Sequence, residues 1–354
     1  MMPVGLGLVG VGMWGRRMAA AAERARGVGL VSCFARDEAA RSDAAGTLGC
    51  RAADSLDSLL VDPDVEAVLV ATPNHTHTEI AVAAAERGKH VFVEKPMADR
   101  LADGLRALEA SERAGVLLFV GHSFRRLGAA RAAATAIGEG ALGDIVLAEA
   151  NFSLPGAFSP GSWRSRRETL PAGPMTQLGV HHADTLQAWI GPAVSVRGSM
   201  THIAAAVDID DVAVALLEHA SGARSVISCS YVSPKTYRIR VYGTRANLDY
   251  RTDMSIWPEA ERMDEATTLT IEDATGSADL PFEPCDMLVD ELEEFARCVR
   301  TGALPETGAA EGLAALNVIE GVVETAASGG IRRIGGEEAG HADDRPRVDD
   351  AQRS

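Results

Sequence analysis

A glycine-rich turn, Gly10-Val11-Gly12-Met13-Trp14-Gly15, stands directly after an apolar run and directly before an Ala-rich segment. A strand that feeds a helix through glycines at this spacing leaves few architectures open. The first glycine permits a tight bend, the second lets a ligand approach the backbone, and the third lets the helix sit against the strand. The start of the helix then offers unpaired N–H groups to a diphosphate. The string alone is a weak signal; between a strand and a helix it marks a dinucleotide site.

The same grammar continues to residue 121. Apolar runs at 4–10, 29–34, 65–71, 90–93 and 116–120 alternate with Ala-rich segments at 15–26, 76–87 and 99–113. Strands apolar throughout and separated by helices predict a doubly wound parallel sheet covered on both faces, a Rossmann-type α/β unit. From residue 122 the pattern changes. A helix (128–137), a strand (144–152), a Pro-, Gly- and Ser-rich loop (153–174) and a helix (175–190) lead into successive strands at 193–203, 211–218, 224–231, 237–242 and 247–250. Two helices follow, at 286–300 and 309–328. Successive strands joined by short turns predict an α/β domain built on an open, mostly antiparallel sheet. The expected organisation is a dinucleotide-binding domain over 1–121, a domain for substrate binding and oligomerisation over 122–334, and a disordered polar tail over 335–354.

Composition narrows the function. Asp and Glu number 50 against 34 Lys and Arg, a net charge of −16, which repels nucleic-acid backbones. No apolar run reaches the roughly 20 residues that span a bilayer. The Arg16-Arg17 pair follows the first apolar stretch, whereas an export signal carries its charge in front. Five cysteines (33, 50, 229, 285 and 298) show neither metal spacing nor disulfide density. They predict a cytoplasmic protein without a metal site.

Only three lysines occur, Lys89, Lys95 and Lys235. Where lysine is kept, its amine can supply a pKa that arginine cannot. Lys95 lies in Glu94-Lys95-Pro96 at the end of a strand, where an ammonium can hydrogen-bond a hydroxyl or polarise a carbonyl. The plainer alternative is a surface Lys paired with Glu94. Lys89 reads as solvated. Ala71-Thr72-Pro73-Asn74-His75-Thr76-His77 ends another strand at the edge where α/β ligands bind. There Thr72, Pro73, Asn74 and His77 are candidates for cofactor contact, with helix capping as the alternative for the histidines. About 20 residues after the glycines, where an NAD site places an acid, stand Ala35, Arg36 and Asp37. A small residue followed by Arg suits a 2′-phosphate, so NADP is favoured; alternatively Asp37 takes the ribose of NAD. In the 175–190 helix, Gln177, His181 and Asp184 share one face. His181, which titrates near neutrality, is a candidate proton acceptor; His182 points elsewhere and reads as structural.

Gly10–Gly15, 71–77, Glu94-Lys95-Pro96, Trp163-Arg164 and the Gly179-x-His181-x-x-Asp184 helix together resemble the Gfo/Idh/MocA oxidoreductases, the glucose–fructose oxidoreductase and inositol dehydrogenase family, over roughly residues 3–333. The resemblance implies hydride transfer between NAD(P) and a sugar, cyclitol or related polyol, and a homo-oligomer, dimer or tetramer, built on the second sheet. It implies Lys95 as the catalytic lysine and His181 as acid/base. Gly10, Gly12, Met13, Trp14, Gly15, Ala35, Arg36 and Glu94 would hold the cofactor, with Trp163 and Arg164 near its nicotinamide. Arg125 and Gln177 would join Lys95 and His181 in selecting the substrate. Gln177 departs from the Asp that many relatives carry; an amide can hydrogen-bond a hydroxyl but takes no proton. Two further readings stay open: a cofactor-sensing regulator, and an enzyme that oxidises a sugar transiently to allow elimination or glycoside cleavage.

Overall fold

The computed structural model describes residues 2–334 apart from 157, 159 and 160. The tail expected at 335–354 lies outside the described residues.

The first unit comprises β1 (Val4–Val9), α1 (Met13–Arg24), β2 (Val28–Phe34), α2 (Glu38–Leu48), β3 (Arg51–Ala52), α3 (Leu56–Val61), β4 (Ala67–Val70), α4 (His77–Glu86), β5 (His90–Glu94), α5 (Leu101–Ala114) and β6 (Leu118–Gly121). Its six strands lie in the order β3-β2-β1-β4-β5-β6, and all pairs are parallel. β4 and β6 are buried along their whole length, which is why they read as unbroken apolar runs. β3, two exposed residues, carries no such signature. Strand order reverses between β1 and β4, and a crevice opens at such a switch point beyond the carboxyl ends of the strands.

The second unit begins with α6 (Gly128–Gly138) and β7 (Ile145–Ser153). A π-helical turn, Met175–Gly179, runs into α7 (Val180–Ile190). Then come β8 (Ala193–Thr201), β9 (Val212–His219), β10 (Arg224–Ser230), β11 (Thr236–Gly243), β12 (Asn247–Thr252), a 3-10 stretch Met254–Ala266, β13 (Thr267–Asp273), β14 (Gly276–Asp279), α8 (Met287–Thr301), α9 (Ala309–Ser328) and β15 (Arg332–Arg333). The nine strands follow the order β14-β13-β12-β11-β7-β10-β9-β8-β15. Only β7 and β10 run parallel; the other pairs are antiparallel. One face packs on α6, α7 and α9. The other leaves Val214 and Leu216 exposed.

The last two helices return to the first unit. Phe295 of α8 sits edge-on to Phe92 and Phe119, 5.5 Å from each ring. Leu316 of α9 joins the cluster around Val91, Val93 and Val120. α9 thus packs against strands of both sheets, and a cavity of about 990 Å³ lies between the units.

Candidate active site

The glycine turn forms the floor of this cavity. Gly10 has φ +101°, and a Cβ there would fall 2.6 Å from the Ala71 carbonyl oxygen. A Cβ at Gly15 would fall 1.9 Å from the Gly10 oxygen, so this glycine lets α1 fold back on the turn. At Gly12 a Cβ would meet nothing within 4 Å. Gly10, Gly12, Met13 and Trp14 line the cavity; Gly15 lies behind them.

Three strand ends build the walls. After β2, Ala35, Arg36 and Asp37 face the cavity. The Asp37 carboxylate accepts the Ala40 N–H at 2.6 Å as the N-cap of α2. Arg36 is exposed, with no hydrogen bond or ion pair to a described residue. After β4, Thr72, Pro73, Asn74 and His77 reach the cavity. Asn74 is buried, and its Nδ2 has no partner. Both His77 ring nitrogens lie 2.9 Å from a carbonyl oxygen, of Pro96 and of Thr72. His77 thus fastens two loops together, and its nitrogens serve the protein. After β5 come Glu94 and Lys95. The Lys95 ammonium donates to the Gln177 main-chain carbonyl at 3.2 Å, joining the two units within the cavity. Lys89, expected in solvent, instead donates to the carbonyls of Asp62 and Val65 at 3.0 and 2.7 Å.

Burial dominates the electrostatics. It lowers the Lys95 amine to about 8, against the pull of Glu94 and with help from Arg164. It raises the Glu94 carboxyl to about 7, against the nearby Lys95. Burial also pushes the His181 imidazole well below its usual range, and the charges of Lys95, His122 and His182 add to the effect. His181 is 3% exposed and lines the cavity, with Nδ1 unpartnered. It is therefore a neutral base at neutral pH. Gln177 also lines the cavity, and its Nε2 is buried without a partner.

Two expectations need correction. Asp184, expected on one face with Gln177 and His181, does not line the cavity as they do. It is 2% exposed and holds Arg125 in a two-bond clamp, Nε to Oδ2 and Nη2 to Oδ1, both 2.6 Å. Arg125, expected to select substrate, is turned to Asp184 and is absent from the cavity wall. Trp163 and Arg164 do line it, with the Arg164 guanidinium 4.8 Å over the Trp163 ring. Sequence reasoning missed Phe152, Tyr231 and Trp257, which also line the cavity. Alternation along β7 buries Phe152 and could have flagged it; Trp257 had no local signal.

Comparison with known proteins follows this geometry. Residues 4–122 match the model of an oxidoreductase family with an NAD-binding Rossmann fold, GFO_IDH_MocA. Residues 130–249 match the GFO/IDH/MocA C-terminal domain. The chain is 30% identical over 334 residues to 1,5-anhydro-D-fructose reductase of Ensifer adhaerens, a match over 93% of this chain and 98% of the relative. The chain belongs to the Gfo/Idh/MocA family. Another relative is D-xylose 1-dehydrogenase (NADP(+)) 2 of Haloferax volcanii, 28% identical over 92% of this chain and 97% of that protein. A solved structure assigned as an NADPH-dependent oxidoreductase of Desulfitobacterium hafniense superposes with TM-score 0.91 at 33% identity, covering 94% and 98% of the two chains. Levoglucosan dehydrogenase in complex with NADH shares the fold, with TM-score 0.84 at 21% identity over 94% of this chain and all of that one.

As a Gfo/Idh/MocA member the protein is an oxidoreductase with a nicotinamide cofactor. Its residues fit that group. Gly12 leaves open space where a side chain would stand, and Asn74 holds an unpartnered buried amide at the same edge. Among the described residues, no group of three or more His, Cys, Asp or Glu is placed to hold a metal ion. No helix among them is long and apolar enough to cross a membrane.

Proposed function

We propose that this protein oxidises a hydroxyl-bearing carbon of a sugar, cyclitol or related polyol, or reduces the matching ketone, with Lys95 and His181 as catalytic residues. The observation that carries the reading is the meeting, in one cavity, of Lys95 just after β5 and the turn that leads into the helix of His181, through the hydrogen bond from Lys95 Nζ to the Gln177 carbonyl. Gly10, Gly12, Met13, Trp14, Ala35, Arg36, Thr72, Pro73, Asn74, Glu94, Trp163 and Arg164 would hold the cofactor, and bound nicotinamide supplies or accepts the hydride. The neutral His181 imidazole takes the proton of the substrate hydroxyl. The Lys95 ammonium donates to the reacting oxygen and stabilises charge that develops there. The Gln177 amide orients a neighbouring hydroxyl.

NADP is our preferred cofactor. The support is Arg36, exposed and without an acidic partner at the adenosine end, beside an Asp37 already used as a cap. We assign cofactor binding to residues 1–121 and substrate selection to 122–334. Five free thiols support a cytoplasmic setting. The open face of the second sheet supports a homo-oligomer. Leu216 pairs with Val226 across β9 and β10 at its centre, and Arg197, Arg224 and Glu149 stand beside them, an apolar patch with a polar rim.

Lys95→Ala tests the reading, with a panel of sugars and cyclitols and both cofactors. The expected result is a loss of about 100-fold or more in kcat while the cofactor dissociation constant stays within about threefold. Turnover near wild type would remove Lys95 from the mechanism. Failure of every panel member to change nicotinamide absorbance would remove the hydride-transfer reading.

A further inference from the structure

We propose that Trp257 is a positioning residue that clasps the glycine turn from the substrate domain and sets how long a bound nicotinamide cofactor stays; the proposal rests on the cofactor reading above. Trp257 stands in the stretch 254–266, which kinks at Glu259 directly after Pro258. Its ring stacks on Trp14, with centroids 5.7 Å apart and planes 15° from parallel. The Arg17 guanidinium packs on both rings, 5.7 Å from Trp14 and 5.4 Å from Trp257. Arg17 also donates to the Pro258 carbonyl at 3.4 Å. Two aromatic rings and a cation from opposite units are thereby held together.

The position of this stack gives it a role. Both indoles line the cavity, and Trp14 lies two residues beyond Gly12 in the turn that would hold the diphosphate. The indole pair walls the cavity beside that turn, so separating the pair widens the exit next to it. The same ring continues toward the reactive end. Trp257 lies 6.2 Å from Phe124, and Phe124 lies 4.2 Å from His181. A row of rings from four chain segments thus links the glycine turn to the proposed acid/base. Both tryptophans are only half-buried. The contact can open without exposing a core, as a gate must.

The test is the rate at which NADPH leaves the full-length protein, followed by stopped flow as excess NADP displaces it and energy transfer from the remaining tryptophans decays. Trp257→Ala is expected to speed release by about tenfold or more. Trp257→Phe, which keeps a ring, stays within about threefold of wild type. Arg17→Met, which keeps both rings and removes the cation, speeds release several-fold. A purely structural contact would lower the thermal midpoint and leave the release rate alone. If Trp257→Ala does not fold, Arg17→Met carries the test. Release rates within about twofold of wild type in the folded variants overturn the clasp and leave the cofactor reading standing. A wild-type protein that binds neither NADPH nor NADH overturns both.

Discussion

At the scale of the residue, the chemistry of the site is set by how little water reaches it. Lys95 is ordinary in kind and unusual in setting: burial brings its amine down to about 8. In the proposed role the amine must keep its proton to donate to the reacting oxygen, so activity is expected to fall as pH rises through that value. The acidic limb from His181 lies well below 6.5, because burial and its cationic neighbours favour the neutral ring. We expect kcat/KM to decline above about pH 8 as Lys95 loses its proton. In Lys95→Arg the alkaline decline should vanish, since a guanidinium keeps its charge, at a lower plateau because the fork does not fit the amine's place. An alkaline limb unchanged in that variant would show that another group titrates there. Arg36 offers a second residue-scale test. Arg36→Ala should cut the preference for NADPH over NADH by about tenfold, the worth of one charge-assisted contact to a phosphate. Steady-state kinetics with both cofactors would measure it.

At the scale of the element, the three glycines do different work, and substitution should separate them. Gly12 faces open space, so Gly12→Val is expected to keep the stability of wild type and lose cofactor binding. Gly15 has the Gly10 carbonyl where its Cβ would be. Gly15→Ala should therefore destabilise the fold by about 2–3 kcal/mol. Urea midpoints with cofactor titrations on both variants would distinguish the two roles. The helix carrying His181 shows how a partner from a distant segment overrides a spacing argument. Plain helical counting puts Asp184 on the face of Gln177 and His181. Gln177 and His181 do line the cavity, but Asp184 goes instead to Arg125, a partner 59 positions away. At Gly179 a Cβ would fall 2.1 Å from the Met175 sulfur, so a larger residue there would displace that side chain.

At the scale of the whole molecule, the second sheet has helices on one face and solvent on the other, with Leu216 and Val214 46% and 37% exposed. If a second copy covers this face, Leu216→Arg places a charge at its centre. The expected outcome is a shift to monomer in light scattering at unchanged secondary structure. An oligomer that persists would place the interface elsewhere.

Much of this protein was legible in its residues alone. The parallel sheet was visible because both its faces are covered, so its central strands read as nearly unbroken apolar runs. The turns that line the cavity were visible because glycine, proline and an isolated lysine stand at strand ends, where backbone geometry leaves little choice of residue type. These are properties of short segments. Other features belong to contacts between distant segments and leave no local trace. No periodicity shows that α8 covers the first sheet, that Asp184 claims Arg125, or that Trp257 reaches Trp14 across some 240 positions. An amphipathic helix or a lone tryptophan carries the demand for a partner, and only the three-dimensional arrangement of the chain names which partner meets it.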